Sequence, residues 1–179
     1  MRPGKIHRLL LISGPPGSGK TTLARPLAER LGFALLTKDD IKEALYTSMN
    51  GPPGDIDFSR RMSDVAMDLL WALAPHCPSL VLEANFRTQS PEERAKLAAL
   101  DADVLEIYCR LPREEASRRF AERARHERHH PAHPLLAMPT ERIAEYEEPF
   151  ALSPVLEVDT SRPVDLDALL SRIRALWQA

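Results

Sequence analysis

The run Gly14-Pro15-Pro16-Gly17-Ser18-Gly19-Lys20-Thr21 has the spacing G-x-x-x-x-G-K-T and uses three of the chain's seven glycines. Glycine tolerates backbone angles closed to other residues, so such a loop can curl with its N–H groups pointing inward onto a phosphate chain. An apolar run, Leu9 to Ile12, precedes the loop, and a helical pattern with Leu23, Leu27 and Leu31 follows it. That strand–loop–helix context is what the motif requires, and the helix adds its N-terminal dipole. Lys20 is placed to reach the outer phosphates and the Thr21 hydroxyl to ligate Mg²⁺. The stretch from Gly14 through Pro15, Pro16, Gly17, Ser18, Gly19, Lys20 and Thr21 to Thr22 is thus the candidate site for a nucleoside triphosphate with Mg²⁺.

Other residues decide what is done with that nucleotide. Glu83 closes the short apolar run Leu80-Val81-Leu82, where an acid at the end of a strand can support the metal beside Thr21. Asp39 and Asp40 follow the run Phe33 to Leu36, at the sheet rim where α/β proteins bind ligands. A positioned Asp can accept the proton of an attacking hydroxyl. Asp40 with Glu43 also resembles a helix capping box, so one Asp can cap while the other, Asp39, acts. Between Arg110 and Arg128 there are seven Arg and four Glu, a local excess of +3. Arg119 and Arg123 are four residues apart and share a helix face, and guanidinium suits the equatorial oxygens of a transferring phosphoryl group.

Four of the six histidines crowd into positions 126–133. Pro131 and Pro134 forbid the helix that would align them as metal ligands, so the segment is expected to be a mobile lid with pH-sensitive charge. Residues 48–57 are turn-forming and are expected to be a mobile loop.

Around these residues the pattern alternates. Strands are expected at 9–12, 33–36, 80–82, 104–109 and 155–158. Helices are expected at 21–31, 39–45, 58–74, 91–100, 113–128, 140–148 and 166–177, with Ser90 capping one of them and Met62, Val65, Leu69, Leu70 and Leu73 on one side of another. Short apolar strands alternating with helices give an α/β fold whose parallel sheet is covered on both faces. No repeat and no dividing linker is visible, so residues 1–179 are expected to form one domain.

Composition narrows the function. The formal charge is −2 with 24 basic and 26 acidic side chains, which disfavours a dedicated nucleic-acid binder. Two cysteines, Cys77 and Cys109, give no disulfide framework and fit a reducing compartment. With no spanning-length apolar run and no signal-peptide core, a cytoplasmic protein without a membrane partner is expected.

The Leu9–Lys20 run, Lys38-Asp39-Asp40, Leu82-Glu83-Ala84-Asn85-Phe86-Arg87, Arg119, Arg123, Pro139 to Phe150 and Val158-Asp159-Thr160 together resemble the small P-loop kinases of the AAA_33 group. That group is similar to the kinase domain of phage-type polynucleotide kinase, chloramphenicol phosphotransferase and gluconate kinase. The resemblance implies a P-loop NTPase with a five-stranded parallel sheet of order 2-3-1-4-5 and a lid after strand four, near residues 112–138. It implies ATP as donor and a hydroxyl as acceptor. It makes Asp39 the general base and Arg119 and Arg123 the lid pair. Asn85 and Arg87 would line the acceptor pocket with Asp40 and Lys42, and Thr160 would lie near the adenine. Lys38 and Lys42 stand where polynucleotide kinase has arginines, which argues away from a polynucleotide acceptor. The sequence therefore leads to an ATP-dependent kinase of a small-molecule hydroxyl. A polynucleotide 5′-hydroxyl kinase and a nucleotide-binding regulatory ATPase are the alternatives, and the acceptor and the oligomeric state stay open.

Overall fold

The computed structural model describes residues 8–126, 129–138 and 144–178. Five strands, β1 (Arg8–Ser13), β2 (Ala34–Thr37), β3 (Ser79–Glu83), β4 (Asp103–Arg110) and β5 (Val155–Asp159), form one sheet in the order β2-β3-β1-β4-β5. Every pairing is parallel. The most apolar strand takes the centre: Leu9 to Ile12 are fully buried, with Leu9 paired to Leu80 on one side and Val104 on the other.

The two-residue period of a strand sends alternate side chains to opposite faces. Leu10 and Ile12 pack with Val81, Leu105 and Ile107 against α1 (Lys20–Leu31) and α6 (Leu166–Leu176). Leu9 and Leu11 pack with Leu80 and Leu82 against α3 (Ile56–Leu73) and the side chains Phe86 and Phe150. Helices α2 (Lys38–Ser48), α4 (Pro91–Ala98) and α5 (Arg113–Ala124) complete the described set. None of the described helices is long and apolar enough to cross a membrane.

Several boundaries follow from caps that the sequence pattern understated. The Thr37 hydroxyl, not an Asp40–Glu43 box, caps α2 by accepting from the Asp40 amide at 3.0 Å. Asp55 caps α3 through the Phe58 amide, so Ile56 and Asp57 belong to the helix rather than to the preceding loop. That loop is folded onto Tyr46, whose hydroxyl donates to the Pro52 carbonyl at 2.6 Å, and whose ring lies where a Cβ on Gly51 would clash.

The buried face of α3 also differs from the expected one. Ser59, Met62, Ala66, Leu70 and Trp71 point inward, whereas Val65, Leu69 and Leu73 are partly exposed. The large indole of Trp71 sets this rotation by packing on Phe86. Of the helix expected at 140–148, residues 140–143 lie outside the described residues, and Ala144–Tyr146 form one 3₁₀ turn. The last two residues of the helix expected at 113–128 lie outside them as well.

Trp71, Phe86 and Phe150 form an aromatic chain with ring centroids 5.5 and 5.6 Å apart. Phe86 is fully buried between Asn85 and Arg87 and so anchors the turn after β3. Phe86→Ala should lower unfolding stability by about 3–5 kcal/mol in urea titration. A loss below 1 kcal/mol would contradict this packing.

Candidate active site

The loop between β1 and α1 is shaped by three glycines with positive φ: Gly14 at 131°, Gly17 at 84° and Gly19 at 79°. Two of them also have no room for a side chain. A Cβ on Gly14 would lie 2.6 Å from the Cys109 carbonyl oxygen, and one on Gly17 would lie 2.4 Å from that of Ala116. The second contact seats α5 directly on the loop. Pro15 and Pro16 have no N–H to offer, and the Ser18 amide turns back to donate to the Pro15 carbonyl at 3.1 Å, which tightens the curl of the loop.

Lys20 is buried, and its Nζ donates to the carbonyls of Gly14 and Pro15, each at 2.9 Å. Burial pulls its pKa down, against the opposing pull of Glu83 and Asp39. The Cys109 thiol is pushed up to about 12 by burial and stays neutral. Glu83, at the end of β3, accepts a hydrogen bond from the Thr21 hydroxyl at 3.0 Å. Burial raises the Glu83 pKa, while Lys20 and the Thr21 hydroxyl lower it in part. A hydroxyl and a carboxylate brought together at a phosphate loop are hard oxygen donors that suit Mg²⁺.

Asp39 opens α2 at the edge of the same cleft. Burial raises its pKa, but Lys38, His133, Arg123 and Lys20 together outweigh burial and hold it below the ordinary carboxylate value. The Lys38 ammonium also donates to Asn85 Oδ1 at 3.4 Å. One turn along α2, Lys42 is 6% exposed. Burial and the Lys38 charge push it down to about 8. These groups line a cleft of about 650 Å³ that runs from Lys20 and Thr21 past Asp39, Asn85 and Arg123 to Met67, Trp71 and Arg87.

The structure separates residues that sequence spacing had paired. Asp40 turns away from the cleft, and both of its carboxylate oxygens accept from the single Arg25 Nη2 at 2.8 and 3.0 Å on the exposed surface. Arg123 lines the cleft, but Arg119 bonds Glu115 and the carbonyls of Thr160 and Ser161 at 2.9 and 3.1 Å. Arg119 thus ties α5 to the loop after β5, where Thr160 is held by the Arg110 carbonyl. Arg87 is exposed and gripped by Glu93. His133 and Trp71 line the cleft without having been singled out as site residues. Their signals were the crowded histidines and an indole one residue beyond the expected apolar face.

The strand order and the phosphate loop define a P-loop NTPase. Residues 9–145 match AAA_33, an AAA domain, and the chain belongs to that family. A crystal structure of a candidate kinase from Chloroflexus aurantiacus superposes with a TM-score of 0.81 at 28% identity, covering 96% of this chain and 98% of that one. Shikimate kinase from Acinetobacter baumannii shares the fold at 18% identity and a TM-score of 0.59, covering 97% and 95%. Gluconokinase from Sinorhizobium meliloti does so at 18% and 0.53, covering 98% and 99%. An uncharacterized protein of Mycobacterium tuberculosis is 42% identical over 52 residues, which is 28% of this chain and only 10% of that protein's length. A cytidylate kinase of Thermosipho africanus is 35% identical over 63 residues, 34% of this chain and 28% of its own.

Lys42 gives a pH-dependent prediction. Its folded pKa, about 8, lies below the unfolded value of 10.5, so the charged form is penalised at neutral pH. The penalty is complete below pH 8 and fades as pH rises towards 10.5. Lys42→Met should therefore stabilise the fold by about 2 kcal/mol at neutral pH in urea titration. The gain should shrink above pH 8, and a constant difference would contradict the assignment.

Proposed function

We propose that this chain is an ATP-dependent kinase that transfers the γ-phosphoryl group to a hydroxyl of a small molecule. The observation that carries the reading is the convergence of Lys20 and Asp39 on one cleft of about 650 Å³, which continues from the phosphate loop to Met67, Trp71 and Arg87. The kinase folds of the structural relatives support it.

The roles follow from the geometry. The amides of Gly17 and of Gly19 to Thr22, with the Lys20 ammonium, would hold the β- and γ-phosphates. Thr21 and Glu83 would hold Mg²⁺, which when bound neutralises phosphate charge. The acceptor oxygen attacks the γ-phosphorus, the bond from that phosphorus to the bridging oxygen of ADP breaks, and the acceptor proton passes to Asp39. The cations around Asp39 keep it ionised and so able to accept that proton late in the transfer, when the hydroxyl has become acidic. Arg123 faces the same space and offsets the charge on the equatorial oxygens. Arg119 and Thr160 shape the nucleotide end, while Asn85, Lys42 and Arg87 border the acceptor end. The near-neutral net charge favours a small acceptor over nucleic acid, and the free Cys77 and Cys109 suit a reducing cytoplasm.

A thermal-shift screen of the protein with ADP and Mg²⁺ against a metabolite library should yield a compound that stabilises only the ternary mixture. With that compound, Asp39→Asn should lose about 100-fold or more in phosphoryl transfer while binding a fluorescent ATP analogue as tightly as wild type. An Asp39→Asn protein as active as wild type would sink the mechanism.

A further inference from the structure

The crowded histidines find partners that no local pattern shows. The segment His129–Pro134 lies across helices α2 and α3. The fully buried Ala132 packs with Tyr46 and Met62, and its carbonyl accepts from the Ser59 hydroxyl at 2.7 Å. His130 Nε2 lies 3.2 Å from the Thr47 hydroxyl, with its ring edge-on to Tyr46. His133 Nε2 lies 2.9 Å from Glu43 Oε1, and the His133 carbonyl is met by His129 Nε2 at 2.8 Å. An ionised carboxylate only accepts, so Nε2 of His133 carries the hydrogen.

The docking surface on α2 is one helical stripe. Glu43, Tyr46 and Thr47 stand four, seven and eight residues after Asp39, so the stripe begins at the Asp39 carboxylate. His133 therefore sits where the segment meets the acceptor end of the cleft, and Pro134, Leu135 and Met138 continue that wall.

We propose that His133 is a positioning residue: clamped on Glu43, it seats the 129–134 segment as one wall of the acceptor pocket beside Asp39. This rests on the reading that Asp39 faces an acceptor. The side chain of His133 is 17% exposed. The charged groups facing it are Asp39, Lys42 and Glu43 on α2, and His129 and His130 lie on its own segment. Lys38, Lys20 on α1 and Arg123 on α5 act on the same carboxylate, and Arg60 and Asp64 line the wall from α3. Burial and Lys42 disfavour the imidazolium more than Asp39 and Glu43 favour it, so the seated His133 holds its proton less tightly than a free histidine. Seating is therefore strongest above the free imidazole value of 6.5 and weakens as pH falls through it.

Two measurements on the full chain without nucleotide test this. In imidazole NMR, His133 should titrate below 6.5, and Asp39→Asn should move it lower still by removing a favourable charge. In hydrogen exchange corrected for intrinsic rates, protection of the 129–134 amides should fall by up to about tenfold per pH unit below 6.5. Glu43→Gln should reduce protection at neutral pH. His133→Gln, which keeps an N–H donor and does not titrate, should keep protection independent of pH. An ordinary His133 titration unmoved by Asp39→Asn, or wild-type protection independent of pH, would overturn the proposal. Neither readout needs turnover, so failure of the kinase reading shows separately in the Asp39→Asn transfer assay.

Discussion

A buried ammonium needs compensation, and much of the architecture supplies it to Lys20. Two carbonyls of its own loop accept from it, which fixes the curl of Gly14 and Pro15. Glu83 stands at the end of the neighbouring strand, so the register of β1 with β3 sets the field at the loop. The fit of Gly14 against β4 and of Gly17 against α5 then fixes the loop from the other side. Removing a charge partner from such a site costs more than a surface pair contributes, because the remaining charge is stranded in low dielectric.

The second organising element is α2, which begins at the rim of the sheet and presents one charged face to the cleft. Asp39, Lys42 and Glu43 all sit on it, and each feels the others. Asp40 is the adjacent residue on a different face, and its bond to Arg25 braces α2 against α1. A one-residue step around a helix is a turn of about 100°, which is why neighbouring aspartates divide so sharply between cleft and surface.

Much of this was legible in the sequence. The order of strands and helices followed from apolar runs and turns, and the phosphate loop from glycine spacing. Thr21 met Glu83 as its position beside a strand end implied, and Asp39 and Arg123 line one cleft. Features governed by distant contacts were hidden. Nothing near Glu43 indicates a histidine 90 residues later, and nothing near Arg119 indicates the carbonyls of the loop after β5. The rotation of α3 depended on where one indole found an aromatic partner. The start of α3 lies two residues before the expected one because Asp55, within the expected loop, is its cap.

The central place of β1 also bears on how the chain is made. Arg8 to Ser13 find their partners at Ser79 to Glu83 on one side and at Asp103 to Tyr108 on the other. A ribosome adds about 5–20 residues per second, so the apolar stretch from Leu9 to Ile12 waits roughly 5–20 s before β4 has been synthesised. Both of its edges are open until β3 has been made, and the edge that receives β4 stays open longest. The strand that leads into the glycine-rich loop is thus, during synthesis, an apolar stretch with an open edge, the kind of surface that chaperones shield.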